Sequence, residues 1–432
     1  MKESNIIDFL KKNSDEYTSS HIELINYELG SLTSHFGEHF ASPIEGKKIN
    51  KLKDNVLRDY LEFFVTKFFK KKHQAIGKKK ILSNAASLWN NKIRDKGYYI
   101  ERPPWNFRRD FQIDCTLELY LLTKKITRNF QNSDFNYLTS KDFFLLIDNY
   151  FILMRDFCKS NSYDALILRQ YNGFFEKVVT KIFRELDKPV IFWHHGGIPA
   201  NYDVGHQKRA DYFVIMGQRQ VDDYIKMGYN PSKFLVGGHP IYNKSPDFFK
   251  FELDSILIIT KSVEGYSPLE TSNLDHRGDS LTYLQSVKKV LQKMGVKKVY
   301  LRAHPGENYN WYKKFIDTDF YVKDEFELTD SLRRATLVVG PISTTIIDSM
   351  YHGVNYVVYE PVINDVNSAK HGLTILGHPV TPPLDGKDSR FPVAHSEEEL
   401  EKILRNKKKI DLEIYNEFCK TPRDIDFLKK II

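Results

Sequence analysis

The sequence has few cysteines and lacks several motifs that identify common enzyme classes. Its three cysteines, Cys115, Cys158 and Cys419, are far apart and form no CxxC pair, so neither a disulfide framework nor a zinc site is indicated. It contains no GxGxxG, GxxxxGK[ST] or HExxH pattern, which disfavours dinucleotide oxidoreductases, P-loop kinases and zinc hydrolases. We therefore expect no cofactor and no metal ion.

Long apolar runs are also absent. The most apolar stretch, Phe143 to Met154, is interrupted by Asp148 and is well short of the ~20 residues that span a bilayer, so it predicts a buried helix. The N-terminus carries charge throughout and lacks the apolar core of a secretory signal. We expect a cytoplasmic location, either free or peripheral at the inner membrane face.

Positive charge is present in excess, with a formal net charge of +8. Seven lysines crowd one short segment and alternate with phenylalanines. Such a segment is typical of a helix that lies on an anionic membrane, but it also fits a solvated face of a core-packed helix. Nucleic acid is not an expected partner, because no nucleic-acid-binding module accompanies the charge. The lysines are Lys67, Lys70, Lys71, Lys72, Lys78, Lys79 and Lys80.

A length of 432 residues favours two domains, since one core rarely grows beyond roughly 250–300 residues. Residues 1–160 are predicted to be mostly helical. From Tyr163 onward, short apolar runs alternate with helical segments, which is the pattern of a parallel sheet. The predicted strands are Ala165–Leu168, Val190–Trp193, Tyr212–Met216 and Phe234–Val236, then Ser255–Thr260, Lys298–Leu301, Thr336–Val339 and Tyr356–Tyr359.

These patterns predict an α/β fold of two Rossmann-like domains that face each other across a cleft, with a helix-rich N-terminal extension. The segment Gly237 to Asp254 combines Gly, Pro and charge, as an interdomain connection should. The predicted N-terminal domain is 1–245, of which 161–245 is α/β. The C-terminal domain is 246–410, and a last helix, 411–432, packs back on the first domain.

Hydroxyl side chains follow a predicted buried strand in the segment GPISTTIIDSMYHG, residues 340–353. Ser343, Thr344 and Thr345 stand where an amphipathic helix begins. The unpaired N–H groups of a helix start bind anions, and the hydroxyls can add donors to a phosphate. The alternative is a simple helix cap, since Ser and Thr are preferred there in any protein.

A second polar cluster lies in VYLRAHPGEN, residues 299–308, where a strand ends in Arg302, His304 and Pro305. At the carboxyl end of a strand, a cationic side chain can neutralise charge on a departing phosphate. A lone histidine after a strand is more often structural. The hydroxyl turn one strand further on favours the functional interpretation.

The two motifs together resemble the donor-binding half of bacterial sialyltransferases, Kdo transferases and CDP-glycerol glycerophosphotransferases, all of the GT-B type. The resemblance implies that His304, Ser343 and Thr344 hold the phosphate of a cytidine nucleotide, with Thr345 as a neighbour. Glu360, in VVYEP, stands where related GT-B proteins place a ribose-binding carboxylate.

The resemblance extends to WHHGGIP, residues 193–199, which is similar to a His-Gly motif of surface-polysaccharide transferases and glycerophosphotransferases. In the glycerophosphotransferases this histidine is taken as the catalytic base, which implies that role for His195, with His194 as the alternative. A neutral imidazole can remove a proton from an acceptor hydroxyl near pH 7. The acidic motif that supplies the base in several sialyltransferases is absent. Further acceptor-side candidates are Asn172, Gly196 and Gly197.

The predicted function is metal-independent, inverting glycosyl transfer from a nucleotide sugar to a glycan or glycolipid acceptor of the bacterial surface. The favoured donor is a CMP-activated acidic sugar, sialic acid-like or Kdo. Alternatives are a CDP-glycerol-type phosphopolyol transferase, a UDP-sugar transferase, an epimerase-like enzyme and a non-catalytic binding protein.

Overall fold

The computed structural model describes residues 3–38, 56–69, 78–106, 115–193, 208–239, 241–261, 275–304, 307, 309–362, 374, 384–424 and 426–432. Within them the chain forms two six-stranded sheets in which every paired strand is parallel. The predicted fold class, α/β with two Rossmann-like units and a helix-rich N-terminal extension, is confirmed.

The first sheet has the strand order β2-β1-β3-β4-β5-β6. Its first two strands come from residues 80–101, inside the segment predicted to be mostly helical. The α/β part of the first domain therefore begins about 80 residues earlier than expected. The strands are β1 Lys80–Ser83, β2 Tyr99–Glu101, β3 Ala165–Leu168, β4 Val190–Trp193, β5 Tyr212–Ile215 and β6 Phe234–Val236.

The second sheet has the strand order β12-β11-β10-β7-β8-β9. Counted from β7, this is the Rossmann order 3-2-1-4-5-6 read from the opposite edge. The order therefore reverses between β7 and β10. The strands are β7 Ile256–Ile259, β8 Val299–Arg302, β9 Tyr321–Lys323, β10 Leu337–Gly340, β11 Asn355–Tyr359 and β12 Val393–Ala394.

The central strands are short apolar runs that are buried along their whole length. β3 reads ALIL and β7 reads ILII, and all residues of both are buried. Continuous apolar runs of this kind form the strands of parallel sheets, because helices cover both faces. These fully buried strands therefore place the core in the middle of each sheet, and polar residues follow at the strand ends.

Helices cover both sheets. Those of the first unit are α1 Glu3–Lys12, α2 Glu16–Glu38, α3 Val56–Phe69, α4 Ser87–Asp95, α5 Leu117–Asn132, α6 Phe135–Leu138, α7 Lys141–Asn161, α8 Phe174–Glu185 and α9 Gln218–Lys226. Those that follow are α10 Asp275–Lys293, α11 Tyr309–Tyr312, α12 Leu328–Arg334, α13 Thr345–Tyr351, α14 Glu397–Arg405, α15 Ile414–Phe418 and α16 Leu428–Ile431.

The N-terminal helices share one core with the first sheet. Ile25 of α2, Leu119 of α5 and Ile147 of α7 belong to the same buried cluster as Val178 of α8. The predicted helix 143–154 lies within α7 and buries one face, while Leu145 and Ile152 are exposed. In the described part of the chain, no helix combines the length and the apolarity that crossing a bilayer requires.

The chain end returns to the first unit. Phe427 packs its ring edge-on against Trp193 of β4, with the ring centroids 5.4 Å apart, and the backbone N–H of Lys420 donates to the carbonyl of Met216 at 2.8 Å. The single helix expected over 411–432 is instead two short helices, α15 and α16. Pro422 lies between them, and proline removes the N–H that a continuous helix needs.

Candidate functional site

The strand reversal in the second sheet marks where a ligand is expected. In sheets of this kind, ligands bind beyond the carboxyl ends of the strands at the point of reversal. Here β7 ends at Ile259 and is followed by Lys261, while β8 leads to His304 and β10 leads to Ser343. β8 and β10 both pair with β7, so their ends are two strand spacings, about 10 Å, apart. His304 and Ser343 therefore stand on either side of Lys261.

Hydrogen bonds fix the loop that carries His304. Its backbone N–H donates to Thr260 Oγ1 at 3.0 Å and to Glu307 Oε2 at 2.8 Å. The hydroxyl of Tyr312 donates to the other carboxylate oxygen of Glu307 at 2.9 Å. Glu307 thus ties the loop to the end of β7 and to α11, and the His304 side chain is presented at the surface.

Two effects act on the His304 imidazole. Partial burial and then the positive charge of Lys261 lower the pKa of His304 below its ordinary value. The ring is therefore neutral near pH 7 when no anion is present. A bound phosphate would favour the protonated form, because an adjacent opposite charge stabilises the cation.

Buried side chains of the neighbouring strands β7 and β11 contact the Gly-Pro turn after β10. The hydroxyl of Tyr356 donates to the carbonyl of Pro341 at 2.6 Å. A Cβ atom at residue 340 would overlap the side chain of Ile259 and the Tyr356 hydroxyl. Glycine is therefore required at Gly340, because β7 and β11 leave no room for a side chain.

The three hydroxyl residues occupy the start of α13. Ser343 Oγ accepts from the backbone N–H of Thr345 at 3.3 Å and lies 3.2 Å from Thr345 Oγ1. Thr344 holds the N-cap position without a side-chain capping bond and is exposed. Ser343 thus accepts a hydrogen bond from the start of the helix, while the Thr344 hydroxyl makes no capping bond.

Glu360 lies directly after β11 and is almost completely buried, with 1% of its surface exposed. Its Oε1 accepts from the backbone N–H of Ile342 at 2.8 Å. No described residue donates a hydrogen bond to Oε2. Burial raises the pKa of Glu360, and the charge of Lys261 partly opposes this shift. Glu360 therefore supports the turn, while its predicted contact with a ribose stays a prediction.

Arg302 does not join this group. Its guanidinium donates to Asp324 Oδ2 at 2.8 Å and to the carbonyl of Phe326 at 2.7 Å. Both partners belong to the segment after β9, on the far side of β8 from β7. These bonds hold Arg302 within the protein, and its predicted contact with the donor stays a prediction.

Several predicted residues lie outside the described residues. They are the candidate base His195, its alternative His194, the neighbouring Gly196 and Gly197, and Pro305 after His304. Their roles stay predictions. Asn172 is described, and its Oδ1 accepts from Arg209 at 2.6 Å.

Polar groups also meet at the carboxyl edge of the first sheet, where the order reverses between β1 and β3. Glu176 Oε1 accepts from Asn84 at 2.9 Å, from the indole N–H of Trp105 at 3.0 Å and from Gln170 at 3.4 Å. Glu176 is 3% exposed, and burial raises its pKa. The carboxylate is therefore held by three neutral donors in a closed environment.

A second carboxyl group, Glu28 of α2, lies beside this network. Its Oε1 accepts from the backbone N–H of Phe174 at 2.7 Å, and no described residue donates to its buried Oε2. Burial raises the pKa of Glu28 and lowers that of its neighbour Lys177. The extension thus contributes a carboxyl group to the first sheet's edge.

The seven lysines predicted to form a basic segment have different environments. Lys67, Lys78 and Lys79 are exposed. Lys80 begins β1, and its ammonium pairs with the buried carboxylate of Glu101 at 3.2 Å, so it is not part of a free basic surface. Lys70, Lys71 and Lys72 lie outside the described residues.

The structure thus places His304 after β8 and the hydroxyl residues Ser343, Thr344 and Thr345 after β10, on the two strands that pair with β7, and it places Lys261, which the sequence analysis missed, after β7 itself. Lys261 follows the apolar run ILII as directly as the other site residues follow their strands, so the same signal could have found it. Within the described residues, no group of three or more His, Cys, Asp or Glu side chains is placed to hold a metal ion.

No protein-family model matches the chain, and no curated protein matches it in sequence. Solved structures resemble it remotely. S. aureus MnaA determined with UDP is 9% identical, with 82% of this chain and 98% of that chain covered and a TM-score of 0.45. The UDP-GlcNAc 2-epimerase from Methanocaldococcus jannaschii is 10% identical, with 82% and 98% covered and a TM-score of 0.46.

Acinetobacter baumannii MurG is 13% identical, with 82% of this chain and 99% of that chain covered and a TM-score of 0.43. All three TM-scores are below 0.5. The assignment of two Rossmann-like units therefore depends on the strand orders and pairings of this chain itself.

Proposed function

We propose that the protein is a glycosyltransferase that uses a nucleotide-activated sugar. The observation that carries the proposal is the placement of Lys261, His304 and Ser343 on three neighbouring strand ends at the reversal of the second sheet. An ammonium, an imidazole and a hydroxyl that follow three adjacent strands, the outer two about 10 Å apart, suit a phosphate group, since charge-assisted hydrogen bonds are the strongest available to it.

The proposed reaction is a direct displacement. The acceptor oxygen forms a bond to the anomeric carbon, the bond from that carbon to the phosphate oxygen breaks, and the acceptor proton passes to His195. Lys261 and His304 stabilise the negative charge that grows on the departing nucleotide. Direct displacement inverts the anomeric configuration, and cationic side chains take the place that a metal ion has in other transferases.

The favoured donor is a CMP-activated acidic sugar, by the resemblance of the His-Pro and hydroxyl motifs, and the favoured acceptor is a surface glycan or glycolipid. A CDP-glycerol-type donor would use the same phosphate contacts. A UDP-sugar would also fit them, because Lys261, His304 and Ser343 recognise phosphate and not the base.

A second candidate function is epimerisation of a nucleotide sugar, which needs groups that remove and return a carbon-bound proton. The buried carboxyl groups of Glu28 and Glu176, whose pKa values are raised by burial, favour it. Raised pKa values let carboxyl groups exchange protons near neutral pH. Both groups are nevertheless engaged with the protein itself, and so we rank this function second.

A parallel screen tests the proposal. Thermal unfolding is measured with CMP, CDP-glycerol, UDP and adenosine diphosphate as the control nucleotide. We expect cytidine nucleotides to stabilise the protein most, by about 2.7 kcal/mol at a concentration 100 times Kd. Absence of stabilisation by every pyrimidine nucleotide would contradict the proposed site.

Incubation with the stabilising nucleotide sugar in D₂O then separates the two reactions. Transfer releases the nucleotide only when an acceptor glycan is added, and it leaves the carbon-bound hydrogens of the sugar in place. Epimerisation needs no acceptor and introduces deuterium into the sugar ring. Nucleotide binding without either reaction would identify a non-catalytic binding protein.

A further inference from the structure

Helix α3 is amphipathic in the reverse of the usual sense. Four large apolar side chains point outward, with exposed fractions of 71% for Leu57, 58% for Leu61, 44% for Phe64 and 54% for Val65. Their spacing of four, three and one residues places them on one side of a helix. We call them the α3 apolar face.

The opposite side of α3 carries the charges that attach the helix to the protein. Asp59 is 5% exposed and pairs with Arg128 of α5, and Glu62 pairs with Lys124 of the same helix at 3.2 Å. Phe63 packs against Tyr120, with ring centroids 5.3 Å apart. A helix that directs its acids inward and its leucines outward is suited to an environment less polar than water.

Positive charge in the surrounding sequence indicates which environment this is. Residues 45–80 contain twelve Lys and Arg and four Asp and Glu, an excess of eight that equals the net charge of the whole chain. The other 396 residues carry 52 charges of each sign and are neutral overall. The basic excess of the protein is therefore confined to the segment that contains α3.

Basic side chains also flank the α3 apolar face directly. At 100° per residue, Arg58 projects from one side of the face and Lys67 from the other, and both are exposed. Lys78 and Lys79, directly before β1, are exposed as well. Cations beside an inserted apolar strip are typical of helices that lie in the headgroup region of an anionic bilayer.

We infer that α3 docks the protein on an anionic lipid bilayer, with Leu57, Leu61, Phe64 and Val65 inserted and the exposed basic side chains of Arg58, Lys67, Lys78 and Lys79 at the headgroups. The inference does not depend on the proposed enzymatic function. A protein partner would need acidic groups to match the same excess of charge, and the two acids of α3, Asp59 and Glu62, already pair with Arg128 and Lys124 of α5.

Vesicle flotation tests the inference with the full chain. The vesicles are pure phosphatidylcholine, or three parts phosphatidylcholine to one part phosphatidylglycerol. We expect binding to the anionic vesicles at low salt, weak binding to the neutral ones, and loss of most binding at about 0.5 M salt, where charge screening is strong.

The decisive variant is Leu57→Ser/Leu61→Ser/Phe64→Ser, which we expect to weaken binding to anionic vesicles by about tenfold or more, since it removes the apolar area available for insertion. The matched control is Leu145→Ser/Ile152→Ser on α7. These residues are 54% and 55% exposed, but the exposed Asp142 and Asp156 stand beside them. We expect the control to change binding by less than about twofold.

Because the altered side chains are exposed, both variants should unfold at nearly the temperature of the unaltered protein. Lys67→Glu is a second test in case the triple variant unfolds. It should weaken binding to anionic vesicles and leave the weak binding to neutral vesicles unchanged. Unaltered binding by the triple variant would overturn the inference, and so would absence of binding by the unaltered protein. Suppose instead that the unaltered protein does not bind vesicles, that light scattering shows it to be a dimer, and that the triple variant is a monomer. The α3 apolar face would then be assigned to self-association.

Discussion

The carboxyl edges of the two sheets have opposite chemistry. At the second sheet, His304 and Thr344 are exposed, Lys261 and Ser343 are partly exposed, and the group is cationic. At the first sheet, Glu176 is buried and its Oε1 accepts three hydrogen bonds from protein side chains. Two sheets of similar topology can thus differ in whether their reversal point is left open for a ligand or filled by the protein's own groups.

The N-terminal extension accounts for this difference. Glu28 of α2 and Trp105 after β2 both reach the first sheet's edge from segments that precede β3. In the described part of the second unit, no added helical layer reaches the corresponding edge. We expect nucleotide recognition to depend on the carboxyl edge of the second sheet. We expect the rigidity of the first unit to depend on the carboxyl edge of the first sheet.

The largest expected effect is on the transfer rate, and it should distinguish the predicted base His195 from the buried carboxylate Glu176. His195→Ala should lower the transfer rate by about 100-fold or more, which is the usual contribution of a general base. Glu176→Gln should leave the rate within about fivefold and lower the unfolding temperature instead, because it disturbs a buried network. Steady-state kinetics and thermal unfolding of both variants check this. The reverse result would assign the chemistry to the carboxyl groups and favour epimerisation.

A smaller effect is expected on nucleotide affinity. Lys261→Ala should weaken nucleotide binding by about 10- to 100-fold, because hydrogen bonds to charged groups contribute about 1.5–3 kcal/mol. Lys313→Ala, at an exposed lysine of the same unit, and Glu28→Gln at the first edge should each change affinity by less than about twofold. Isothermal titration of the three variants measures this. Equal losses in Lys261→Ala and Glu28→Gln would remove the distinction between the two edges.

The smallest effect concerns stability and pH. Burial raises the pKa of Glu360 in the folded protein, so the folded state holds this proton more tightly than the unfolded chain does. The resulting stability is fully present below the unfolded pKa, near 4.3, and is lost as the pH rises through the raised value. Glu360→Gln does not titrate, so its stability relative to the unaltered protein should increase as the pH rises from the unfolded pKa through the raised pKa of Glu360.

The increase in the free energy of unfolding of Glu360→Gln relative to the unaltered protein should be about 1.4 kcal/mol for each unit by which the pKa of Glu360 is raised. Denaturant unfolding of both proteins across this range gives the difference directly. A stability difference that does not change with pH would show that Glu360 titrates normally.

The sequence predicted the central strands because they are continuous apolar runs between turns. β3 and β4 were predicted with the bounds that the structure shows. β2 and β9 were missed because YIE and YVK each contain a charged residue, whereas β6, equally short, is the apolar run FLV; β12 was missed because it has only two residues. β1 was missed because it is a short strand that follows a lysine run.

The contacts that the sequence did not predict follow from the missed strands. The ion pair of Arg302 was not predicted because its partner Asp324 follows β9, which was itself missed. The Glu176 network was not foreseen because Asn84 follows β1, and side chains from three distant segments meet only once β1 joins the first sheet. The motifs after β8 and β10 were found because each polar residue directly follows an apolar run.

The most direct test is a crystal structure of the protein with CMP or UDP bound. We predict that a phosphate lies between the ends of β8 and β10, within hydrogen-bonding distance of Lys261 and at least one of His304 and Ser343. A nucleotide bound elsewhere, or His304 and Ser343 directed to separate surfaces with no shared ligand, would contradict the account.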